Sequence, residues 1–195
     1  MRPPGRFVVV VGPDGSGKTT LAKAMIERWA GETAYLHWIP GLGVELKEDP
    51  GVEVPMPKRL DVPASSLASA ARLTMNLIRA WAYYAVRIRP ALRRGVLVIG
   101  DRWGYGYVGQ PAALRYRGPE WLARWATGLF PAPHVTAVLL APVAVLRQRK
   151  SELNEQQLED ELIRWRSYEF PRQLTMDATE PVEQMVVRVE SALSS

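Results

Sequence analysis

The chain has 195 residues, of which 47% are hydrophobic, and its formal net charge is +5. This length and hydrophobic content are sufficient for one well-buried domain spanning residues 1–195. The absence of cysteine excludes disulfides and thiolate metal sites, which suits a cytoplasmic protein. No apolar run approaches a membrane span, and the positive charge comes from scattered arginines rather than a basic tail. We therefore expect neither a membrane nor a nucleic acid as the main partner.

A glycine-rich turn lies between the first predicted strand, residues 7–11, and the first predicted helix. Residues 12–19 read GPDGSGKT and fit the pattern G-x-x-x-x-G-K-[ST]. Glycines allow successive N–H groups to face one anion, and a helix N-terminus there adds partial positive charge. Lys18 can reach the β- and γ-phosphates of ATP, and the Thr19 hydroxyl can hold Mg²⁺. The predicted ATP-binding residues of this segment are Gly12, Asp14, Gly15, Ser16, Gly17, Lys18, Thr19 and Thr20.

Apolar runs of strand type alternate with helical periodicity along the rest of the chain. Strands are predicted at residues 7–11, 34–39, 96–99 and 135–140, with a weaker one at 173–176. Helices are predicted at residues 19–29, 64–94, 120–129, 143–150, 158–168 and 182–193. This alternation predicts an α/β fold with a mostly parallel sheet covered by helices on both faces.

Residues 40–63 interrupt the alternation with five prolines and three glycines. Such a stretch is typical of a long loop. In an open α/β sheet it would leave the second strand on the side where ligands bind. It is either a cover for a ligand or a surface loop without function.

The long predicted helix carries a polar stripe of Arg72, Asn76, Arg79 and Tyr83, spaced four, three and four residues apart. This spacing places them on one helix face, which either contacts a ligand or is simply solvated. Pro90 should kink or divide the helix near its end.

The predicted strand at 96–99 leads directly into Asp101 and Arg102. In a P-loop protein, an aspartate at such a strand end lies near the metal, and the arginine offers a planar fork for phosphate. Glycines then alternate with Trp103, Tyr105 and Tyr107, which predicts a pliant segment whose rings either stack on a base or pack.

The region from 143 to 172 changes from basic to acidic and back to basic. The change suggests an exposed helical hairpin. A solvated surface explains this charge pattern about as well as a lid does. Residues 177–181 (DATEP) then end the last strand and cap the last helix.

Four blocks of this sequence resemble the thymidylate kinase family of P-loop nucleoside monophosphate kinases. They are residues 12–20; residues 89–95 running into 98–102; residues 139–142 together with Arg147 and Arg149; and residues 177–182. The blocks follow the family's order and spacing over nearly the whole chain.

The resemblance implies a P-loop kinase fold with a five-stranded parallel sheet, a short helical lid at about 147–163, and a homodimer formed through the long helices. It implies that Asp14 faces the sugar of the acceptor, while Arg102 holds the acceptor's phosphate. Asp101 would serve near Mg²⁺, and Arg147 and the loop at Thr179 would sandwich the adenine of ATP.

The chain departs from the family pattern mainly in its acceptor half. The base-reading arginine of the family falls on Ala80, next to Arg79, and Gln110 is displaced by about one position. Gly15 occupies the position where one branch places a catalytic arginine, so Arg149 and Lys150 become the candidate lid cations. The predicted acceptor-binding residues are Asp14, Pro40, Arg72, Asn76, Arg79, Arg102, Tyr107 and Gln110, and the predicted catalytic residues are Lys18, Asp101, Arg102 and Arg149.

Two histidines remain. His37, beside Trp38 at a strand end, either touches a ligand or packs there, and we interpret His134 as structural.

The sequence thus predicts Mg²⁺-dependent phosphoryl transfer from ATP to a nucleoside monophosphate. A kinase of another small metabolite, such as a nucleoside or a sugar-like acceptor, is the first alternative. A nucleotide-binding protein without catalysis is the second.

Overall fold

The computed structural model describes residues 4–39, 43–47, 65–149 and 155–194. Its strands are β1 (Arg6–Val11), β2 (Thr33–Ile39), β3 (Gly43–Lys47), β4 (Leu97–Asp101), β5 (Val135–Leu140) and β6 (Gln173–Asp177). Its α-helices are α1 (Lys18–Arg28), α2 (Ser66–Tyr83), α3 (Arg89–Arg93), α4 (Gly106–Gly109), α5 (Glu120–Thr127), α6 (Val143–Arg149), α7 (Glu155–Ser167) and α8 (Val182–Ser194). A π-helical turn (Tyr84–Ile88) joins α2 to α3, and a 3₁₀ turn (Trp103–Tyr105) precedes α4.

The strands form one sheet in the order β3-β2-β4-β1-β5-β6. The predicted five-stranded parallel sheet is confirmed, and β3 adds a sixth strand that runs antiparallel to β2. The interpretation of 40–63 as loop throughout is therefore wrong for residues 43–47. That segment reads GVELK, whose alternation of apolar and polar residues is a strand signal of period two. The other residues of 40–63, including Pro40, lie outside the described part of the chain.

The central strand β1 contributes side chains to the core on both faces of the sheet, because both of its faces are covered. Phe7 and Val9 pack into one apolar cluster, whereas Val8 and Val10 pack into the other. Successive side chains of a strand point to opposite faces, so one unbroken apolar run serves both layers. The pairing of Val10 with Asp101, and of Asp101 with His37, brings the carboxyl ends of β1, β4 and β2 side by side.

The predicted division of the long helix at Pro90 is confirmed. The α-helical part α2 ends at Tyr83, and the Arg89 N–H donates to the carbonyl oxygen of Tyr84 across a π-helical turn. Proline has no N–H and its ring crowds the carbonyl four residues earlier. The wider turn accommodates that crowding.

The glycine-aromatic segment after Asp101 is packed rather than pliant. Trp103, Tyr105 and Tyr107 are each at most 1% exposed, so the packing alternative is the one observed. The glycines between them allow close contact: a Cβ on Gly104 would overlap the Phe130 ring, and one on Gly109 would overlap the Trp165 indole.

The predicted lid region consists of the end of α6 and most of α7. Residues 150–154 between them lie outside the described residues. Most of α7 is exposed, as the expected hairpin requires, but Leu158, Leu162 and Trp165 are buried along one side. The lid boundaries themselves stay a prediction. None of the described helices is both long and apolar enough to cross a membrane.

Candidate active site

The glycine-rich turn after β1 has a backbone conformation that glycine adopts readily. Gly12, Gly15 and Gly17 have φ of 145°, 83° and 83°, a region that L-residues with side chains rarely adopt. Helix α1 begins directly after Gly17, and its first turn contains no acidic residue. The positive end of its dipole is therefore available to an anion.

Lys18 is folded back over this turn. Its Nζ donates to the carbonyl oxygens of Gly12 (3.1 Å) and Pro13 (2.8 Å). Burial is the main reason why the pKa of Lys18 falls to about 8, and the nearby Arg102 guanidinium lowers it further. The ammonium is thus poorly solvated in the free protein, and a phosphate oxygen would give it a better partner.

Arg102 reaches across from the end of β4 to the same loop. Its Nη2 donates to Oδ1 of Asp14 at 2.5 Å, and Lys18 Nζ lies 3.8 Å from the same oxygen. The Arg102 Nε is buried and has no hydrogen-bond partner. This unmatched donor marks Arg102 as a group able to bind a further oxygen anion.

The backbone at Arg102 is strained. Arg102 and Trp103 have φ of 66° and 45°, and such residues cost about 1–3 kcal/mol each. The strain is held by the buried Trp103, whose Nε1 donates to the Pro131 oxygen at 3.2 Å and whose ring packs edge-on against Phe7. The turn lets Arg102 follow Asp101 and still face the P-loop.

Asp101 is held from one side by β2. Its Oδ2 accepts a hydrogen bond from the Tyr35 hydroxyl (3.0 Å) and lies 3.2 Å from His37 Nδ1. Burial alone would raise the pKa of this carboxyl, but the His37 hydrogen bond and the Arg102 and Lys18 cations outweigh it and keep the pKa below its usual range. His37 therefore packs against a candidate metal ligand.

The donor set fits Mg²⁺ bound together with phosphates. Oδ1 of Asp101 is buried and unpartnered, and the Thr19 and Thr20 side chains are exposed at the start of α1. Hard oxygen ligands of this kind suit Mg²⁺, which commonly takes one or two protein ligands plus substrate phosphates. Accordingly, no group of three or more His, Asp and Glu able to hold a metal occurs within the described ranges.

The predicted acceptor residues of α2 are only partly brought together. Asn76 is buried and its Nδ2 donates to the Tyr107 hydroxyl at 2.7 Å, while its Oδ1 is unpartnered. Arg72 lies near enough to Tyr107 to act on its pKa, which burial raises. Arg79 is exposed on the helix. The solvated-face interpretation of the stripe is therefore wrong for Asn76.

Gln110 has a partner that the sequence did not suggest. Its Nε2 donates to Oε2 of Glu161 in α7 at 2.9 Å. Glu161 also acts electrostatically on Lys18, so it lies at the edge of the phosphate site. The sequence did contain one signal that Glu161 is a site residue. Glu161 comes three residues after Leu158 and four before Trp165, which places it on the buried side of an amphipathic helix.

On the opposite side of the P-loop, Arg149 bridges two backbone segments. Its Nη1 donates to the Ala178 oxygen at 3.1 Å and lies 3.5 Å from the Gly15 oxygen. Thr179 folds back onto Asp177 through its N–H and hydroxyl. Arg147 instead pairs with Glu155 at 2.8 Å. Arg149 is thus the residue that the structure places between the P-loop and the loop at Thr179, while Lys150 lies outside the described residues.

The described geometry can be compared with known proteins. No family model and no curated protein sequence matches the chain. Its structure is similar to that of thymidylate kinase from Candida albicans, with a TM-score of 0.66 and 15% identity, over 98% of this chain and 92% of that one. The chain has the fold of a thymidylate kinase. The predicted P-loop kinase fold is confirmed.

Proposed function

We propose that this protein is an ATP- and Mg²⁺-dependent kinase that transfers a phosphoryl group to a nucleoside monophosphate. The observation that carries this proposal is the contact of Arg102 with Asp14. It joins a P-loop that can hold the donor phosphates to an arginine fork that can hold an acceptor phosphate.

In this proposal the protein's own groups position and neutralise charge. Lys18 and the loop amides would stabilise charge on the transferring group, and Arg102 would align the acceptor. Thr19 and Asp101 would hold Mg²⁺, which would neutralise charge on the donor phosphates. Arg149, between Gly15 and Ala178, would supply a further cation on the ATP side.

A second candidate is phosphorylation of an uncharged acceptor, such as a nucleoside or a sugar-like metabolite. The observation in its favour is the charge of the cluster. Around Lys18 and Arg102 lie three carboxylates, those of Asp14, Asp101 and Glu161. An acceptor that brings its own phosphate would add repulsion, whereas a neutral hydroxyl would not. The Candida albicans enzyme is itself described as having broad substrate specificity, so this fold is compatible with more than one acceptor.

The test is ADP release from ATP in the presence of a panel of nucleoside monophosphates, nucleosides and sugars. Turnover with monophosphates far above the other acceptors supports the first candidate, and the reverse order supports the second. No turnover with any acceptor, despite tight ATP binding, would favour a non-catalytic nucleotide-binding protein.

Two variants check the assigned roles. Lys18→Ala should abolish transfer with every acceptor, and normal turnover would reject the mechanism. Arg102→Ala should chiefly reduce turnover with phosphorylated acceptors, and an equal loss with all acceptors would argue against its role.

A further inference from the structure

Glu161 differs from the other acidic residues described in α7. Glu155, Glu159 and Asp160 are exposed, whereas Glu161 is half-buried beside the apolar side of the helix. A carboxylate on a helix surface normally stays in water, because burial penalises its charge. Its position therefore calls for a physical reason.

The packing of α7 on α4 fixes where this carboxylate lies. Trp165 is fully buried and sits so close to Gly109 that no Cβ would fit between them. Gly109 immediately precedes Gln110, and Trp165 follows Glu161 by one helical turn. The same contact that locks the two helices together thus sets Glu161 against Gln110.

The pair has unused hydrogen-bonding capacity. Gln110 is 4% exposed and donates through Nε2 to Glu161, but its Oε1 is buried with no partner. An ionised carboxylate can only accept hydrogen bonds, and so can an amide oxygen. Glu161 already accepts from Gln110, whereas Oε1 of Gln110 calls for a donor that the described residues do not supply.

Glu161 also lies within electrostatic reach of the charged residues of the P-loop site. Burial is the main cause that raises the pKa of Glu161, the neighbouring Asp14 raises it further, and Arg102 and Lys18 oppose the shift. These three residues line the P-loop side of the site. A group within electrostatic reach of these residues lies close to the P-loop, where the phosphates of a nucleotide would bind.

We propose that Glu161 and Gln110 form a subsite for a sugar hydroxyl of the acceptor. The hydroxyl would donate to the Glu161 carboxylate, and Gln110 would hold that carboxylate in place and accept a second donor through Oε1. This inference rests on the proposed kinase function, and it holds for either acceptor class, because nucleoside monophosphates and nucleosides share the sugar.

The competing explanation is that the pair only fastens α7 to α4. A fastening role would change stability without changing which acceptor is preferred. If the pair binds the acceptor, the effect of removing Glu161 depends on whether the acceptor carries the hydroxyl. A double-mutant cycle, in which one change is in the protein and the other in the acceptor, measures this coupling energy directly.

The experiment compares acceptors with and without the hydroxyl in the wild-type protein and in two variants. The probes are dTMP and its 3′-deoxy analogue, thymidine and 3′-deoxythymidine, and the UMP/dUMP pair for the 2′-hydroxyl. The variants are Glu161→Gln, which keeps the shape and removes the charge, and Glu161→Ala. The matched control is Glu159→Gln, which alters an exposed acidic residue two positions away. Acceptor binding is measured by calorimetry with Mg²⁺ and AMP-PNP, and turnover is measured by ADP release.

In the wild type, loss of one hydroxyl should weaken acceptor binding roughly 10- to 100-fold, the value of a hydrogen bond to a charged group. In Glu161→Ala the penalty should shrink to about twofold or less, with AMP-PNP affinity unchanged. Glu159→Gln should behave as the wild type does.

The outcomes separate this inference from the function on which it rests. Turnover with undiminished hydroxyl discrimination in both Glu161 variants would overturn the subsite and leave the kinase proposal intact. If the wild type shows neither acceptor binding nor turnover, the kinase proposal is overturned and the subsite with it. Thermal melting of the variants shows whether they fold. If Glu161→Ala is destabilised, Glu161→Gln becomes the deciding variant, and its hydroxyl penalty should be smaller than that of the wild type because a neutral amide accepts a weaker hydrogen bond.

Discussion

At the scale of single residues, Lys18 has the clearest pH signature. Its pKa is lowered to about 8 in the free protein, chiefly by burial. Bound phosphates stabilise the charged form and so raise this pKa, which means that nucleotide affinity is fully present below pH 8 and is lost as the pH rises above it. The loss should approach tenfold per pH unit until the pKa of the complex is reached.

Calorimetry of AMP-PNP and Mg²⁺ in two buffers of different ionisation enthalpy tests this prediction. Between about pH 8 and 9.5, binding should take up as much as one proton, which linkage requires when a pKa rises on binding. Lys18→Met serves as the control and should show no uptake. Affinity that is constant across that range in the wild type would show that Lys18 does not meet the phosphates.

Tyr35 should act on the metal site through Asp101. Its hydroxyl donates to Oδ2, and burial together with the Asp101 charge raises its pKa, so it remains a neutral donor throughout the working range. With Oδ2 held by Tyr35 and His37, Oδ1 is the oxygen left for a ligand. Removing such a support typically costs 10- to 100-fold in metal affinity.

We therefore expect Tyr35→Phe to weaken Mn²⁺ binding in the presence of ADP by about tenfold, as measured by electron paramagnetic resonance. Tyr116→Phe is the matched control, because that hydroxyl donates to Pro119 instead. Equal Mn²⁺ affinity in the two variants would refute the positioning role.

At the scale of elements, the contact between α4 and α7 should be intolerant of a single methyl group. A Cβ on Gly109 would overlap the buried Trp165 indole, and overpacking of this kind costs about 1–3 kcal/mol. Gly109→Ala should lower the free energy of unfolding by that amount, as measured by denaturant titration. Gly128→Ala is the control, because its Cβ would make only ordinary contacts, the nearest at 3.4 Å to the Trp125 oxygen. Equal stability of the two variants would show that the contact between α4 and α7 accommodates the added methyl group.

What the sequence could predict depended on how local each signal is. The P-loop and the Asp101–Arg102 pair were predictable because neighbouring residues define a strand end and a turn. Strand β3 was missed because five residues of weak alternation lie among prolines and glycines, and only the exposed edge of β2 gives them a partner. Glu161 was missed because its partner, Gln110, lies 51 residues away, and an acidic helix in isolation reads as solvated surface.

At the scale of the whole molecule, α2 and the turn that follows it have a second apolar face. Leu73 and Ala80 pack inward, yet large apolar residues are exposed on the other side: Leu67 (82%), Met75 (49%), Ile78 (59%) and Val86 (68%). Together with the exposed Ala71 and Ala82, they fall within about 100° around the helix axis. A helix that is apolar on two opposite faces normally has a partner on both.

A second copy of the chain is the partner that this stripe fits. A twofold axis places the same stripe on both sides of the interface, and the alanines between the larger side chains allow two helices to approach closely. We therefore expect a homodimer in which the α2 helices pack against each other. Ile78→Glu would bury two charges near the centre of that contact, so it should shift the molar mass measured by light scattering from dimer to monomer. Val187→Glu, at a residue of α8 that is 46% exposed, should leave the dimer intact. A wild-type protein that is monomeric at micromolar concentration, or an Ile78→Glu variant that is still dimeric, would show that the stripe is not the interface.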